Sequence, residues 1–256
     1  MTRIRVIPVL LLAQHGMVKT QCFARSRYLG DPINAVKIFN EKMADELILL
    51  DIEATAKGRV DFDWVEDIVS EAFMPIAYGG GINSIVQCEQ LFKRGVEKIV
   101  VNTAGCERPQ LIAELADRFG SQSVVVSIDA RQNLWKRSKV YINGGRKETK
   151  FSPVELARKS EELGAGEIFL TSIKREGTFG GYDIELLHSV CSAVRVPVIA
   201  NGGAGSIEDF ERAVALGGCS AVAAGSMFVF AAKGEGVLIN YPSESELQEH
   251  LWSRLT

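Results

Sequence analysis

Two rhythms of hydrophobic and polar positions alternate along the chain. Short aliphatic, β-branched runs predict strands at Ile4–Leu10, Leu47–Asp51, Pro75–Tyr78, Lys98–Asn102, Val124–Asp129, Glu167–Thr171, Pro197–Ala200 and Ala221–Ala224. Between most of them lie about 10–15 residues of helical spacing, as in "DPINAVKIFNEKMA" and "PVELARKSEELGAG". Strands that are apolar on both faces need cover on both, which means a parallel sheet with helical crossovers. Eight such units in 256 residues predict an α/β fold, the (β/α)8 barrel. A doubly wound open sheet is the alternative, but it usually has fewer strands, and the chain has no GxGxxG fingerprint.

The pattern also repeats. "ADELILLDI" at 44–52 resembles "AGEIFLTSI" at 165–173, an offset of 121; "PIAYGGGI" and "PVIANGGAG" place Gly79 and Gly202 123 apart. "EKIVVNTAG" at 97–105 and "SAVAAGSMF" at 220–228 share the offset of 123. Two fused half-barrels, about 1–120 and 121–240, explain all three within a single barrel domain over 1–256. The one excursion, "NLWKRSKVYINGGRKET", carries an Asn143-Gly144 hairpin signal and predicts a small ribbon on the loop face.

Composition narrows the function. A formal net charge of −3 leaves no broad basic field, so nucleic acid is not an expected partner, and the basic cluster around Trp135–Lys139 reads as solvated charge. The five cysteines are scattered without a CxxC pair, and three isolated histidines offer no ligand cluster. Reduced thiols, no metal and no cofactor are expected. The N-terminal apolar run is too short for a signal or a span and Pro8 interrupts it; a cytoplasmic protein without membrane contact is expected.

Candidate chemistry sits at the predicted strand ends. Gly79-Gly80-Gly81 follows the third strand and Gly202-Gly203-Ala204-Gly205 the seventh. Such loops bring bare backbone N–H groups close to a ligand, and at the C-terminal face of a barrel they make phosphate sites. Asn102-Thr103 and Gly225-Ser226 would complete two cradles, favouring a ligand with two phosphates; tight turns without a ligand are the plain alternative. The fifth strand ends in Ser127-Ile-Asp129, aiming an acid into the barrel mouth as a general acid or base; a helix cap or a pair with Arg131 is the alternative. Repeat symmetry calls for a second acid at position 11, which is Leu11.

Across nearly its whole length the chain resembles the cyclase subunit of imidazole glycerol phosphate synthase, a barrel fed with ammonia by a glutaminase. The matching segments, in order, include "GDP" at 30–32, "DELILLDI", "YGGGI", "VNTA", "FGSQSVVVSIDA", "LGAGEI", "LTSIKREGT" with "GYD", and "GGAG". The resemblance implies a pair of catalytic aspartates, one falling on Asp129 and the other on Leu11, so cyclase chemistry should be severely reduced. It implies a functional Lys19 in a mobile first loop, and a second phosphate site that includes Glu176, where the family has Asp, and Gly177. Glu53 replaces a small residue, and Gln14-His15 replaces Asp-Gly. It also implies an ammonia gate of Arg5, Glu46, Lys98 and Glu167, all retained; Glu97, beside Lys98 and pointing the other way along the strand, is then a docking carboxylate for the glutaminase. A structural plug of ion pairs is the alternative for those four charges.

"PVLLL" after the first strand and the "VLINYPS" tail at Val237–Ser243 resemble a divergent branch associated with bacterial surface-polysaccharide synthesis. In that branch, glutaminase and barrel supply ammonia to a separate sugar amidotransferase that forms an acetamidino group. Three readings follow: an ammonia-conducting synthase-type subunit, an ordinary cyclase in which Glu53 or His15 replaces the missing acid, or a non-catalytic phosphate-binding scaffold. The related single-chain sugar-phosphate isomerase fits less well, because it too needs a carboxylate on strand one.

Overall fold

The computed structural model describes residues 3–133, 135, 137–232 and 235–255. Eight strands build its centre: β1 (Arg5–Ala13), β2 (Leu47–Asp51), β3 (Ile76–Gly79), β4 (Lys98–Val101), β5 (Val124–Gln132), β6 (Glu167–Ser172), β7 (Val198–Asn201) and β8 (Ala221–Ala224). Each pairs in parallel with the next, and β8 pairs with β1 through Arg5↔Ala221 to Pro8↔Ala224. The sheet therefore closes on itself as a (β/α)8 barrel, and the open doubly wound alternative falls. Around it run α1 (Pro32–Glu41), α2 (Phe62–Val69), α3 (Ile85–Lys93), α4 (Gln110–Phe119), α5 (Pro153–Glu162), α6 (Ile184–Cys191), α7 (Ile207–Ala215) and α8 (Glu244–His250).

Because strand side chains alternate, the barrel has two apolar layers. One set, including Leu10, Leu49, Ile99, Val126 and Ile168, packs outward against the helices. The other, Ile7, Val9, Ile48, Ala77, Val100, Val125, Phe169, Ile199, Ala221 and Ala223, fills the interior, with Leu11 and Leu50 against it. Helix starts follow local chemistry. Asp61 and Ser84 cap α2 and α3, while Ser152 and Glu155 form a capping box with Pro153 in the first turn of α5.

The boundaries differ from the sequence reading in physically simple ways. Pro75 and Pro197 have no N–H for the ladder, so β3 and β7 begin one residue later than expected. β1 runs past Leu10 to Ala13 because Leu11–Ala13 pair antiparallel with a strand at Gly16–Gln21, itself paired with Ala24–Gly30. This ribbon was not expected; its outer strand, ARSRYLG, is largely polar and mostly exposed. The excursion after β5 is a ribbon. Ser138–Ile142 pairs with the end of β5 and with Lys147–Glu148, and Asn143, Gly144 and Gly145 turn with φ of 55°, 65° and 77°. Of its basic cluster, Lys136 lies outside the described residues, and Lys139 donates to the carbonyl of Lys150.

Candidate functional site

The C-terminal ends of the strands surround a cavity of about 770 Å³. Inward alternation places Leu11 of β1, Leu50 of β2, Asn102 just after β4, Ser127 and Asp129 of β5, Thr171 of β6 and Asn201 of β7 at its floor. Lys19, Gly80, Gly81, Thr103, Glu176, Gly177, Gly202, Gly203, Gly225 and Ser226 line the same cavity. Thr171 and Asn201 were not singled out from sequence, although both occupy inward strand-end positions; the Asn201 amide donates to the Thr171 hydroxyl.

Asp129 is buried, with the Asn102 amide 3.3 Å from Oδ2 and the Ser127 hydroxyl 3.5 Å from Oδ1. Burial pushes its carboxyl up to about 7, against hydrogen bonds from Thr171 and Ser127 that pull it down. Arg131 does not neutralise it: its guanidinium stacks 4.1 Å over the Tyr141 ring and reaches the Gly145 carbonyl. The other cavity carboxylates are engaged. Asp51 accepts from the Glu53 and Ala54 amides at 2.9 Å, and Glu107 pairs with Lys147. Glu176 turns to the ribbon, taking the Lys19 ammonium, the Thr20 hydroxyl and the Phe23 amide. Burial pulls the Lys19 amine down to about 7, with Cys22 nearby working weakly the other way.

The two glycine loops face each other across the mouth. At Gly80, φ is +132° and a Cβ would lie 2.4 Å from the Asp51 carbonyl oxygen; at Gly203, φ is +114° and a Cβ would lie 2.2 Å from the Gly181 oxygen. Both backbones press against a neighbouring loop in a conformation that side chains resist. Beside the first loop, the Thr103 hydroxyl accepts from the Asn143 amide. Beside the second, the buried Ser226 hydroxyl has no hydrogen-bond partner among the described residues.

Neither proposed replacement for the missing acid reaches the cavity. The Glu53 carboxylate accepts from the Gln14 amide at 3.0 Å and pairs with Lys57 at 2.7 Å. His15, left-handed at φ 54°, stands exposed beside Trp64 with Nε2 3.6 Å from Asp61.

At the opposite end, alternation turns Arg5, Lys98 and Glu167 inward at the starts of β1, β4 and β6, and Glu46 just before β2. Arg5 bonds both Glu46 and Glu167 at 2.5 Å, and Lys98 lies 3.0 Å from each, so the four charges form a closed ring. Both glutamates are buried. Burial opposes the Arg5 charge, but Glu167 and Glu46 more than offset it and hold the guanidinium above its ordinary value. Glu97, one residue before β4, is exposed on this face.

Among the described residues, no helix is long and apolar enough to cross a membrane. The chain is 50% identical over 252 residues to a Pseudomonas aeruginosa protein provisionally named imidazole glycerol phosphate synthase subunit hisF2, covering 96% of this chain and 99% of the relative. It is 45% identical over 254 residues to a provisionally named subunit hisF3 of Vibrio vulnificus, covering 98% and 97%. It is also 45% identical over 230 residues to imidazole glycerol phosphate synthase subunit HisF of Pyrobaculum aerophilum, covering 89% and 90%. The family model described as "Histidine biosynthesis protein" matches residues 5–233. With its closed barrel, its two facing glycine loops and these relatives, the chain belongs to the histidine biosynthesis protein family, among its synthase-subunit barrels.

Proposed function

We propose that this barrel is the synthase-type subunit of a glutamine amidotransferase complex, conducting ammonia from a glutaminase while its own cyclase chemistry is impaired. The observation that carries this reading is the contrast along one strand. Arg5 at the start of β1 keeps both ion-pair partners, while Leu11, six residues on, puts hydrocarbon on the cavity floor near Asp129, an acid with no cation beside it among the described residues. A leucine cannot carry a proton, and Glu53 and His15 are committed elsewhere. Between ring and mouth the interior is apolar, which suits neutral ammonia and disfavours ammonium. Ammonia released into water would be protonated, so the N-terminal face is where a glutaminase docks, with Glu97 meeting a partner Lys or Arg.

The two glycine loops, Ser226 and Asn102-Thr103 suit a ligand bearing two phosphates, with Glu176 and Gly177 at the edge of the second site. The half-barrel repeat accounts for the paired placement of these loops. The acceptor is a surface-polysaccharide sugar converted by a separate amidotransferase; this rests on the resemblance of "PVLLL" and "VLINYPS" to that branch.

The experiment is reconstitution with the glutaminase and the acceptor enzyme, comparing product formed from glutamine with product formed from ammonium salt. Lys98→Met should lower the glutamine-driven yield and spare the ammonium-driven one. Equal loss with both sources, or no loss with either, would make the ring a structural plug.

A further inference from the structure

The sulfurs of Cys191 and Cys219 lie 3.8 Å apart, 28 residues from each other in sequence. Cys191 is the last residue of α6 and is partly exposed; Cys219 is buried, two residues before β8. Their meeting depends on the turn between α7 and β8. At Gly217 a Cβ would lie 3.0 Å from the Cβ of Leu187 on α6 and 2.5 Å from the Ala213 oxygen, and Gly218, at φ +77°, would set one 3.4 Å from the Cβ of Cys191. Two glycines therefore let this turn lie flat on α6, and the next residue is the second cysteine. The two sulfurs stand 3.8 Å apart, against a bond of about 2.05 Å, so only a short gap separates them from a bridge.

We infer that Cys191 and Cys219 form an oxidisable dithiol that a small-molecule disulfide, such as oxidised glutathione, converts to an internal disulfide. The accessible Cys191 thiolate attacks one sulfur of the disulfide, breaking its S–S bond, releasing one small thiol and leaving a mixed disulfide on Cys191. The Cys219 thiol then loses its proton to water and attacks the Cys191 sulfur, expelling the second small thiol. Two protein thiols are oxidised to one disulfide and the oxidant is reduced to two thiols. The electrostatics favour this order. The hydrogen bond from Cys219 draws the Cys191 thiol below its ordinary range. The neighbouring Cys191 sulfur, with burial behind it, pushes Cys219 up, and the first step removes the larger cause by capping Cys191. Both residues lie at strand-start level, so the bridge would staple α6 to the α7–β8 turn on the N-terminal face.

The test is incubation of the full-length protein with oxidised glutathione, followed by intact mass, thiol counting in denaturant and peptide mapping. Cys22→Ser serves as the background, because Cys22 is the exposed cysteine. The expected result is a loss of two hydrogens in mass, two thiols lost, and a mapped Cys191–Cys219 peptide. The bridge should raise the melting temperature by roughly 5 °C, reversed by dithiothreitol. Cys219→Ser should stop at a glutathione adduct on Cys191. Retention of all thiols, or an adduct resting on Cys191 while Cys219 stays free in the otherwise native chain, would overturn the inference, and neither depends on the Cys219 variant folding.

Discussion

The two ends of this barrel use charge in opposite ways. At the N-terminal end, two cations and two carboxylates meet in a closed ring in which every member touches two of the opposite sign. At the C-terminal end, among the described residues, Asp129 stands without a cation and Ser226 without a partner, and Leu11 stands where symmetry asks for a second acid. Buried charge is tolerated where it is paired, and a group left unpaired is costly unless a ligand or a reaction uses it. The paired end is self-sufficient as structure, whereas the mouth leaves a buried acid and a buried hydroxyl that a ligand bearing its own polar groups would satisfy. That asymmetry is expected when a conduit is kept and half of an acid–base pair is lost.

The sharpest way to break the comparison is to restore the acid. With the aminoimidazole ribonucleotide substrate of the family and excess ammonium salt, the protein should turn over about 10²–10⁴-fold more slowly than an acid-bearing cyclase. Leu11→Asp should recover part of that loss, measured as substrate disappearance under saturating ammonium. Ordinary cyclase rates in the unaltered protein would refute the view that Leu11 disables the mouth.

Breaking the ring should be a matter of stability. Lys98→Met leaves Glu46 and Glu167 sharing Arg5 alone, at a cost of about 3–5 kcal/mol if water does not enter. Arg5 and Lys98 are only partly buried, and solvent screening will draw the effect toward the lower figure. Urea unfolding measures it. An Ala substitution at the exposed Lys57–Glu53 pair should leave the unfolding midpoint essentially unchanged, and a similar result at Lys98 would remove the distinction between the two ends.

The barrel was legible because parallel strands covered on both faces write themselves as apolar runs with helical spacers. The glycine loops were legible because only glycine suits the contacts at Gly80 and Gly203. Period-two alternation from Arg5 through Ile7 and Val9 to Leu11 also let one strand report on both ends at once. The ribbon over the mouth was not legible. ARSRYLG has no apolar face to advertise a strand, and its anchor is a contact between Lys19 and Glu176, 157 residues apart. Nor could the sequence tell that Glu53 points to Gln14 and Lys57; a residue of chemical promise is settled by a turn geometry that spacing does not encode.

A third measurement titrates the mouth. Burial raises the Asp129 carboxyl from 3.8 to about 7, so the folded state holds a proton there that the unfolded chain releases. This contribution to stability is fully present below about pH 4 and is lost as pH rises through 7. Its size is up to about 4 kcal/mol. Asp129→Asn, neutral at every pH, should remove that downward slope between pH 4 and 7, read from unfolding midpoints across the range. An unchanged slope would mean that water or an unrecognised cation already satisfies Asp129.

The smallest effect separates a binding mouth from a merely unsatisfied one. Two buried hydroxyls lack partners among the described residues: Ser226, which lines the cavity, and Tyr78, which does not. Removing either orphan should stabilise the protein by about 0.5–1 kcal/mol, since the desolvation cost goes with the hydroxyl. For Tyr78→Phe, the gain should be the same in any buffer. For Ser226→Ala, it should appear in phosphate-free buffer and vanish, or reverse, as inorganic phosphate is added, because only the native serine gains a partner there. Ligand binding adds stability as RT ln(1 + [L]/Kd), so the difference between the two variants' melting temperatures should grow with phosphate. If both variants respond identically to phosphate, Ser226 is an orphan of the fold like Tyr78, and the second glycine loop is a turn and no cradle.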